Sequence, residues 1–295
     1  MKLKTLESNS QSSVAVVVLA FSRLDTLREL IDSLKRQTRP LNEIIVVFQG
    51  KDEKILTWLR SQIGLTIHQQ ENRGSAGGFS TGIQLSISHG HDWTWIIDDD
   101  AIPDLDALEY LVSCKYFDSQ NTGFLSSRIV DSHRCTYMSP VPCDANTWYG
   151  TVLEDGCVPV QKSTWLGLLV ATPSVLECGL PIEEYFLWEE DGEFSMRIAR
   201  AKKSYCVIRS VIVHYQNKKF DPFNSTDSIK YYYMVRNRIA TIKLSDRSAF
   251  YKVFKIGISI CKVLRDIIMK KAPIKSIKAL YVGIFLFWPK IKFIS

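Results

Sequence analysis

The sequence predicts an α/β protein with a mostly parallel central sheet, and two observations carry that prediction. Short segments that are apolar throughout alternate with longer segments whose apolar residues recur at helical spacing. Strands that are continuously apolar are typical of a parallel sheet covered by helices on both faces. A chain of 295 residues with 46% hydrophobic and 23% charged residues can also bury a large core. The first four predicted strands are Val14–Ala20, Glu43–Phe48, Leu65–Gln69 and Trp93–Ile97.

Three helices are predicted between these strands. In the first, Leu27, Leu30, Ile31 and Leu34 follow helical spacing, and the second covers Asp52–Gln62 with Asp52 as its cap. The third, Gly74–His89, is rich in small residues, and Gly74, Gly78 and Gly82 recur every four positions on one face. Each helical glycine costs about 1 kcal/mol relative to alanine, so the stripe needs a reason. Close packing on the sheet and a wall of a ligand pocket both remain possible.

The second half of the chain predicts further elements around a long irregular stretch. A stretch of that length without clear elements is often a functional surface. The predicted elements are a helix at Leu105–Val112, a strand at Thr122–Val130, the irregular stretch Ser132–Lys162, strands at Thr164–Ala171 and Tyr205–Val213, and a helix at Ser225–Ile242.

Three consecutive aspartates, Asp98, Asp99 and Asp100, follow the fourth predicted strand directly. Adjacent like charges repel one another and are costly to remove from water, so in a cleft they need a compensating partner. A hard divalent cation, Mg²⁺ or Mn²⁺, prefers carboxylate oxygens and bridges to phosphates. The alternative for an isolated run of aspartates is a solvated acidic turn. The position at a strand end, after three strand–helix units, favours the metal site.

Other polar groups follow the ends of the earlier strands. Arg23 lies just after the first strand, Gln49 after the second and Gln70–Gly74 after the third. Ligands of open α/β sheets bind outside the carboxyl ends of the strands, so these groups face one crevice with the aspartates. A nucleotide diphosphate with its metal would suit that crevice. The segment Asn72–Gly82 matches neither the GxGxxG fingerprint nor a Walker A loop, which disfavours a Rossmann dehydrogenase or a P-loop NTPase.

A second acidic cluster, Trp188–Phe194, begins another predicted helix. Asp191 and Glu193 there are either helix-capping carboxylates or a general base with its orienting neighbour. His214 follows the strand Tyr205–Val213 and is a candidate nitrogen ligand for the metal, although a single histidine after a strand is more often structural. Arg236, on a later predicted helix, is a candidate phosphate contact.

The net charge of +6 comes from the C-terminal tail. Residues 251–295 contain ten Lys or Arg and one acid, Asp266, interleaved with bulky aliphatic and aromatic residues. That pattern favours an amphipathic segment on an anionic membrane surface over a nucleic-acid-binding segment or a solvated helix face. We therefore expect a main domain at residues 1–245 and a basic, helical, membrane-associating region at residues 246–295.

Cysteine usage and hydropathy set the expected compartment. The seven cysteines include no CxxC pair, which argues against a zinc ribbon and suits reduced thiols in the cytosol. The polar N-terminus has no hydrophobic signal core, so no secretion is expected. The longest apolar run, Ala279–Trp288, is too short to span a bilayer. The expected location is therefore cytoplasmic and peripheral at the inner face of the cell membrane.

Together these motifs resemble the family 2 glycosyltransferases of GT-A fold, a Rossmann-like nucleotide-sugar-binding fold. The nearest branch is the bacterial galactofuranosyl- and rhamnosyltransferases, and the resemblance covers roughly residues 14–240. Gln49 stands where the family often has aspartate or asparagine. The segments that carry the resemblance are VVVLAFSRLDTLRELIDSL, ENRGSAGGFSTGI, WIIDDDAIP, LWEEDGEFSMRIAR followed by VIVHY, and YYYMVRNR.

The resemblance implies an inverting transfer by direct displacement. The expected donor is UDP-galactofuranose, with dTDP-rhamnose as the alternative, and the expected acceptor is a lipid-linked or cell-surface glycan such as O-antigen or capsule. A non-catalytic nucleotide-sugar-binding accessory protein is a rival of another class. The implied site comprises Asp191 as catalytic base; Glu190, Glu193 and Trp188 as acceptor-positioning residues; Asp98, Asp100 and His214 as ligands of Mn²⁺ or Mg²⁺; and Arg23, Gln49, Asn72, Gly77, Gly78, Asp98, Asp99 and Arg236 as donor-binding residues.

Overall fold

The computed structural model describes residues 12–137, 140–143, 148–215, 223 and 225–294. Most of the N-terminal segment in which we expect no secretion signal lies outside these residues. The strands are β1 Val14–Ala20, β2 Glu43–Phe48, β3 Leu65–Gln69, β4 Trp93–Asp98, β5 Ala101–Pro103, β6 Thr122–Val130, β7 Val141–Pro142, β8 Cys157–Lys162, β9 Leu168–Ala171 and β10 Lys203–His214. The helices are α1 Leu24–Lys35, α2 Glu53–Ser61, α3 Gly74–Ser88, α4 Ala107–Val112, α5 Trp148–Asp155, α6 Thr172–Cys178, α7 Glu190–Ala201, α8 Ser225–Leu244, α9 Ala249–Ile268 and α10 Ile277–Tyr281.

The strands form one mixed sheet in the order β3-β2-β1-β4-β9-β6-β10-β8-β7, and β5 pairs with the end of β10. The first four strands in this order are parallel to one another, as their apolar composition predicts; they are β3, β2, β1 and β4. Beyond β4 the sheet changes character. The short strand β9 runs antiparallel between β4 and β6, whereas β6 and β10 are parallel to each other. The predicted α/β class is confirmed, with a sheet that is parallel in one half and mixed in the other.

Two apolar cores cover the two faces of the sheet. Val16 and Val18 of β1 face a core that includes Leu27 and Leu30 of α1, because successive side chains of a strand point to opposite faces. Val17, between them, faces the second core, which includes Phe79 of α3. The predicted assignment of β1 as a strand buried on both faces is confirmed, since all seven of its residues are buried.

The predicted helix cap is also present. The Asp52 side chain precedes α2 and accepts a hydrogen bond from the backbone N–H of Lys54, at 2.9 Å. The predicted strand Thr164–Ala171 is too long at its start, since β9 begins at Leu168. Gly167 turns the chain there with a φ of 83°, a conformation that glycine adopts without steric cost.

The C-terminal helices pack together and against the sheet domain. α8, α9 and α10 share a core that includes Val235, Ile239 and Val263. Within the described ranges, no helix has both the length and the apolarity needed to cross a membrane. The end of the chain returns to the sheet domain, where the Leu180 N–H donates to the Lys292 carbonyl at 2.8 Å.

The glycine stripe of α3 brings the helix very close to the sheet. A Cβ atom added at Gly82 would lie 2.2 Å from Cγ1 of Val17 on β1, and one added at Gly78 would lie 2.3 Å from Leu19. A Cβ added at Gly74 would lie 1.9 Å from the Phe186 carbonyl oxygen. Close packing therefore explains the stripe at all three positions.

We expect Gly82→Ala to lower the free energy of unfolding by ~1–3 kcal/mol, because the added methyl group overpacks β1. Gly257→Ala is the matched control. Gly257 also lies inside a helix, α9, but an added Cβ would meet nothing within 4 Å. This control should gain about 0.5–1 kcal/mol from helix propensity. Urea unfolding of both variants measures the difference, and equal stability of the two would contradict the packing explanation.

Candidate active site

The pairing of β5 with β10 brings two distant candidates together. β5 follows the aspartates directly, and its register places Ala101 opposite His214 at the end of β10. The Tyr215 N–H also donates to the Asp100 carbonyl at 3.1 Å. As a result, Nε2 of His214 lies 3.5 Å from Oδ1 of Asp100. A carboxylate oxygen and an imidazole nitrogen more than 100 residues apart in the chain thus face one point.

Arg23, which follows β1, supplies a positive charge to the aspartates. Its guanidinium lies 2.5 Å from Oδ1 of Asp99 and also forms an ion pair with Asp100. The Asp99 side chain is only 3% exposed, and its Oδ2 atom is buried without a hydrogen-bond partner in the described structure. The compensating partner that the three aspartates need is therefore provided, in this structure, by Arg23.

Burial and mutual repulsion shift the pKa values of the aspartates in different directions. Burial raises the pKa of Asp99 to about 6, although Arg23 opposes the shift. Burial, together with the charges of Asp100 and Asp99, holds the pKa of Asp98 well above its ordinary value. For Asp100, burial is outweighed by the hydrogen bond to His214 and the charge of Arg23, so its pKa is lowered. The cluster therefore holds less negative charge than three free carboxylates would.

Tyr137 is a site residue that the sequence analysis missed. Its hydroxyl contacts Nδ1 of His214, and it also donates to the His214 backbone carbonyl at 3.3 Å. A hydrogen bond to one ring nitrogen fixes the orientation of the imidazole ring, and here it directs the other nitrogen, Nε2, toward Asp100. The sequence predicts only the irregular stretch that contains Tyr137, because a single tyrosine outside a regular element carries no sequence signal.

The loop between β3 and α3 is held by Gln49. Oε1 of Gln49 accepts hydrogen bonds from the Arg73 N–H at 2.7 Å and from Nε2 of Gln70 at 3.1 Å. Its Nε2 donates to the Gly74 carbonyl at 3.0 Å. The Asn72 side chain accepts from the Gly74 N–H at 2.9 Å. Gln49 and Asn72 thus shape the loop at the strand ends, and a direct donor contact by either stays a prediction.

The second acidic cluster faces the same crevice as the aspartates. Glu190, at the start of α7, is 4% exposed, and its Oε1 atom contacts the Ser75 hydroxyl and lies 3.3 Å from the Trp165 indole nitrogen. Burial, followed by repulsion from Asp191, raises the pKa of Glu190 to about 8. Glu190 also contributes to the raised pKa of Asp98, after burial and the neighbouring aspartates. The two acidic clusters therefore interact electrostatically.

Asp191, the candidate base, is half-buried beside Lys162. Burial raises the pKa of Asp191 to about 6, while the positive charge of Lys162 lowers it. The end of the Lys162 side chain packs closely against Gly192. A Cβ there would lie 2.2 Å from Cε of the lysine. Oδ1 of Asp191 also accepts the Gly192 N–H at 2.5 Å, so the side chain takes part in the first turn of α7 as well.

Glu193 and Arg236 are engaged within the protein. Glu193 is buried and pairs with Arg197 through two contacts of 2.8 and 2.9 Å. Arg236 donates to the carbonyls of Glu184 and Tyr185, at 2.8 and 3.0 Å. The roles predicted for both side chains in binding acceptor or donor stay predictions. Among the described residues, no three His, Cys, Asp or Glu side chains are arranged to hold a metal ion.

Comparisons with known proteins agree with this geometry. The family model described as Glycosyl transferase family 2 matches residues 15–140, the segment that carries β1 to β6 and the three aspartates. Residues 15–140 are therefore similar to a family 2 glycosyltransferase domain. The predicted enzyme class, a glycosyltransferase, is thereby confirmed.

Two mycobacterial relatives share the galactofuranosyltransferase description. Galactofuranosyltransferase GlfT1 of Mycolicibacterium smegmatis is 25% identical over 252 residues, which cover 76% of this chain and 81% of that protein. GlfT1 of Mycobacterium tuberculosis is 34% identical over 107 residues, or 35% of each chain. The predicted family resemblance is confirmed by these matches.

Two solved structures share the fold. GalNAc-T7 with UDP, GalNAc and Mn²⁺ superposes with a TM-score of 0.63 at 14% identity, covering 80% of this chain and 48% of that one. S. aureus TarS residues 1–349 in complex with UDP gives a TM-score of 0.58 at 13% identity, covering 92% of this chain and 81% of that one. The predicted GT-A fold is confirmed.

Proposed function

We propose that this family 2 domain transfers galactofuranose from UDP-galactofuranose to a glycan acceptor, such as a lipid-linked cell-surface polysaccharide. The donor sugar is supported by the GlfT1 relatives, and the UDP moiety by the UDP-bound structural neighbours. The observation that carries the proposal is the contact of Asp100 with His214, which places oxygen and nitrogen donors at the strand ends where a nucleotide diphosphate would bind.

The residue types in this crevice suit a divalent cation, although the described side chains are not arranged around one ion position, so binding would draw them together. Asp98 and Asp100 offer carboxylate oxygens, His214 offers an imidazole nitrogen that Tyr137 orients, and mixed oxygen–nitrogen sets suit Mn²⁺ or Mg²⁺. The unpartnered Oδ2 atom of the buried Asp99 supports a further ligand in this crevice. When bound, such a cation would supply charge stabilisation for the departing nucleotide diphosphate.

Three residues of the chain would bind the donor or orient the site around it. The Arg23 guanidinium is half-exposed and lies in the crevice. It would bind the diphosphate after its ion pairs with Asp99 and Asp100 break. Asp99, released from Arg23, would accept hydrogen bonds from the ribose or the donor sugar. Tyr137 holds the His214 ring throughout.

Asp191 would act as the base for the acceptor. In a direct displacement, the acceptor oxygen bonds to the anomeric carbon while the bond from that carbon to the diphosphate oxygen breaks with its electron pair. The acceptor proton passes to the Asp191 carboxylate, whose pKa of about 6 leaves it ionised at neutral pH. Glu190, with a pKa of about 8, is mainly protonated there and would position the acceptor as a hydrogen-bond donor, beside Trp188.

A panel of sugar nucleotides tests this assignment. With Mn²⁺ and lipid-linked glycans extracted from the source cells as acceptors, we expect release of UDP from UDP-galactofuranose and loss of that release in EDTA. dTDP-rhamnose and UDP-glucose are the comparison donors. Preferred turnover of dTDP-rhamnose would replace the donor assignment, and full turnover in EDTA would contradict the metal-dependent mechanism.

We expect Asp191→Asn to lower turnover by roughly 10²–10⁴-fold, because the amide cannot accept the acceptor proton. UDP binding, measured by calorimetry, should be unchanged, since Asp191 does not belong to the donor residues. In the wild type, turnover should rise as the pH passes about 6, where Asp191 loses its proton.

Lys162→Met should move that rise to higher pH, because the lysine charge lowers the pKa of Asp191. Lys115→Met is the matched control, since Lys115 is exposed and pairs with Asp155. Substantial turnover by the Asp191 variant, or a pH profile that Lys162→Met leaves in place, would contradict the assigned base.

We further propose that residues 246–295 attach the protein to the inner, anionic face of the cell membrane. The support is an apolar surface on α9 that is accessible to solvent, with Phe250 81%, Val253 71% and Ile268 79% exposed. Cations, including Lys252 and Lys255, lie on the same helix. Apolar side chains enter the boundary between headgroups and acyl chains, while nearby cations contact the anionic headgroups.

Vesicle flotation measures this attachment. The wild type should float with vesicles containing phosphatidylglycerol and much less with pure phosphatidylcholine. Phe250→Ser combined with Phe254→Ser should abolish flotation, because it removes the apolar part of the surface. Ile63→Ser is the control, since Ile63 is 90% exposed but lies on the sheet domain. Equal flotation of the α9 variant and the control would count against a membrane surface on α9.

A further inference from the structure

The loop before Asp191 has an unusual backbone. Phe186, Trp188 and Glu189 have φ angles of 64°, 66° and 69°, and none of them is glycine. Side chains with a Cβ rarely adopt this left-handed region, and such residues persist only where the surroundings hold them in place. The segment from Glu184 to Glu189, here called the strained loop, therefore depends on outside contacts.

Three consecutive residues of α8 provide those contacts. The Asn237 amide, which is fully buried, donates to the carbonyls of Tyr185, Leu187 and Trp188 at 3.0, 2.9 and 2.7 Å. An amide group has two N–H bonds, so it shares them among the three acceptors. The Tyr185 carbonyl also accepts from the Leu187 N–H at 2.7 Å, and Asn237 adds hydrogen bonds to all three carbonyls from outside the strained loop.

The neighbours of Asn237 hold the two ends of the strained loop. Arg236 donates to the Glu184 and Tyr185 carbonyls at its start. Arg238 lies 3.1 and 2.5 Å from Oε1 of Glu189 at its end, the residue before α7. Asp191 follows two residues later in the first turn of that helix. The α8 contacts therefore fix the backbone from which the candidate base projects.

The strained loop also contacts the donor side of the crevice. The Ala76 N–H at the start of α3 donates to the Phe186 carbonyl at 3.2 Å. Gly74 permits this approach, because any Cβ there would collide with the same carbonyl. The strained loop is therefore held between α3, whose first turn follows the donor loop, and α8.

We propose that Asn237, assisted by Arg238, is a positioning residue that holds Asp191 at the correct distance from the donor for acceptor attack. The inference rests on the proposed function, because it assumes Asp191 as the base. The Asn237 amide nitrogen donates to backbone carbonyls of the strained loop, and its Oδ1 atom accepts from Nε of Arg236 at 2.9 Å; none of these contacts involves the aspartates at the strand ends. Its loss should therefore misplace the base without weakening donor binding.

The experiment compares Asn237→Ala with Lys230→Gln on the same helix, which alters an ion pair with Asp227 at the surface. With the sugar nucleotide that the wild type consumes, turnover at saturating donor should fall on the order of 10²-fold for Asn237→Ala, as for a misplaced catalytic group. The donor KM and the UDP dissociation constant should stay within about twofold of the wild type. Lys230→Gln should match the wild type in all three quantities.

Circular dichroism and thermal unfolding show whether Asn237→Ala folds. If it does not fold, substitutions of Arg238 provide an independent test. Its side chain is 35% exposed, so Arg238→Gln should fold. We expect Arg238→Gln to lower turnover and Arg238→Lys to restore part of it, since lysine retains the charge opposite Glu189. A purely structural role would lower the melting temperature and leave turnover per folded molecule intact.

The outcomes separate the two proposals. A wild type that consumes no sugar nucleotide overturns the proposed function. An active wild type with unchanged turnover in folded Asn237→Ala overturns the positioning role alone, and so does unchanged turnover in Arg238→Gln where Asn237→Ala is unfolded. A parallel rise in the UDP dissociation constant would show that α8 supports the donor site instead, which also overturns the inference.

Discussion

The cost of placing several carboxylates in one crevice is the constraint on which the rest of the structure depends. Asp98, Asp99 and Asp100 repel one another, and burial raises the pKa of the first two. The fold meets that cost with positive charge and hydrogen bonds from other strand ends: Arg23 from the end of β1 and His214 from the end of β10. Because the repulsion among the aspartates falls when positive charge enters the crevice, the same cost would favour the divalent cation that we propose for the donor site.

The parts of the fold and of the site that the sequence predicts are those whose sequence patterns are local. The parallel half of the sheet was predictable, because β1 to β4 carry continuous apolar runs and each is followed by a helix with its own periodicity. The side on which Arg23 and the aspartates meet followed from one rule about strand ends. The start of β9 was missed because Gly167 turns a segment whose composition is typical of a strand.

The missed site residues share one property: their sequence neighbours give no sign of the contact. Tyr137 reaches His214 from an irregular segment, and Lys162 reaches the Asp191 region from the end of β8, where its terminal atoms pack against Gly192. Gln49 shows the opposite case. Its position at a strand end predicts a ligand contact, but its amide forms hydrogen bonds with the adjoining loop. Composition and spacing indicate where a crevice lies, but the assignment of each polar side chain to protein or ligand is a tertiary property.

The two acidic clusters are supported by different means, and the difference fits the roles that we propose for them. The aspartates stand at the end of β4 within a sheet buried on both faces, which suits the donor-binding role we propose for them. Asp191 stands after an irregular, strained segment, whose position is set by side chains of α8. α8 in turn packs against α9, the helix with the exposed apolar and basic surface. The proposed base is therefore linked through α8, by contiguous packing, to the surface we propose for the membrane, where a lipid-linked acceptor would arrive, whereas the aspartates of the proposed donor site stand on the sheet.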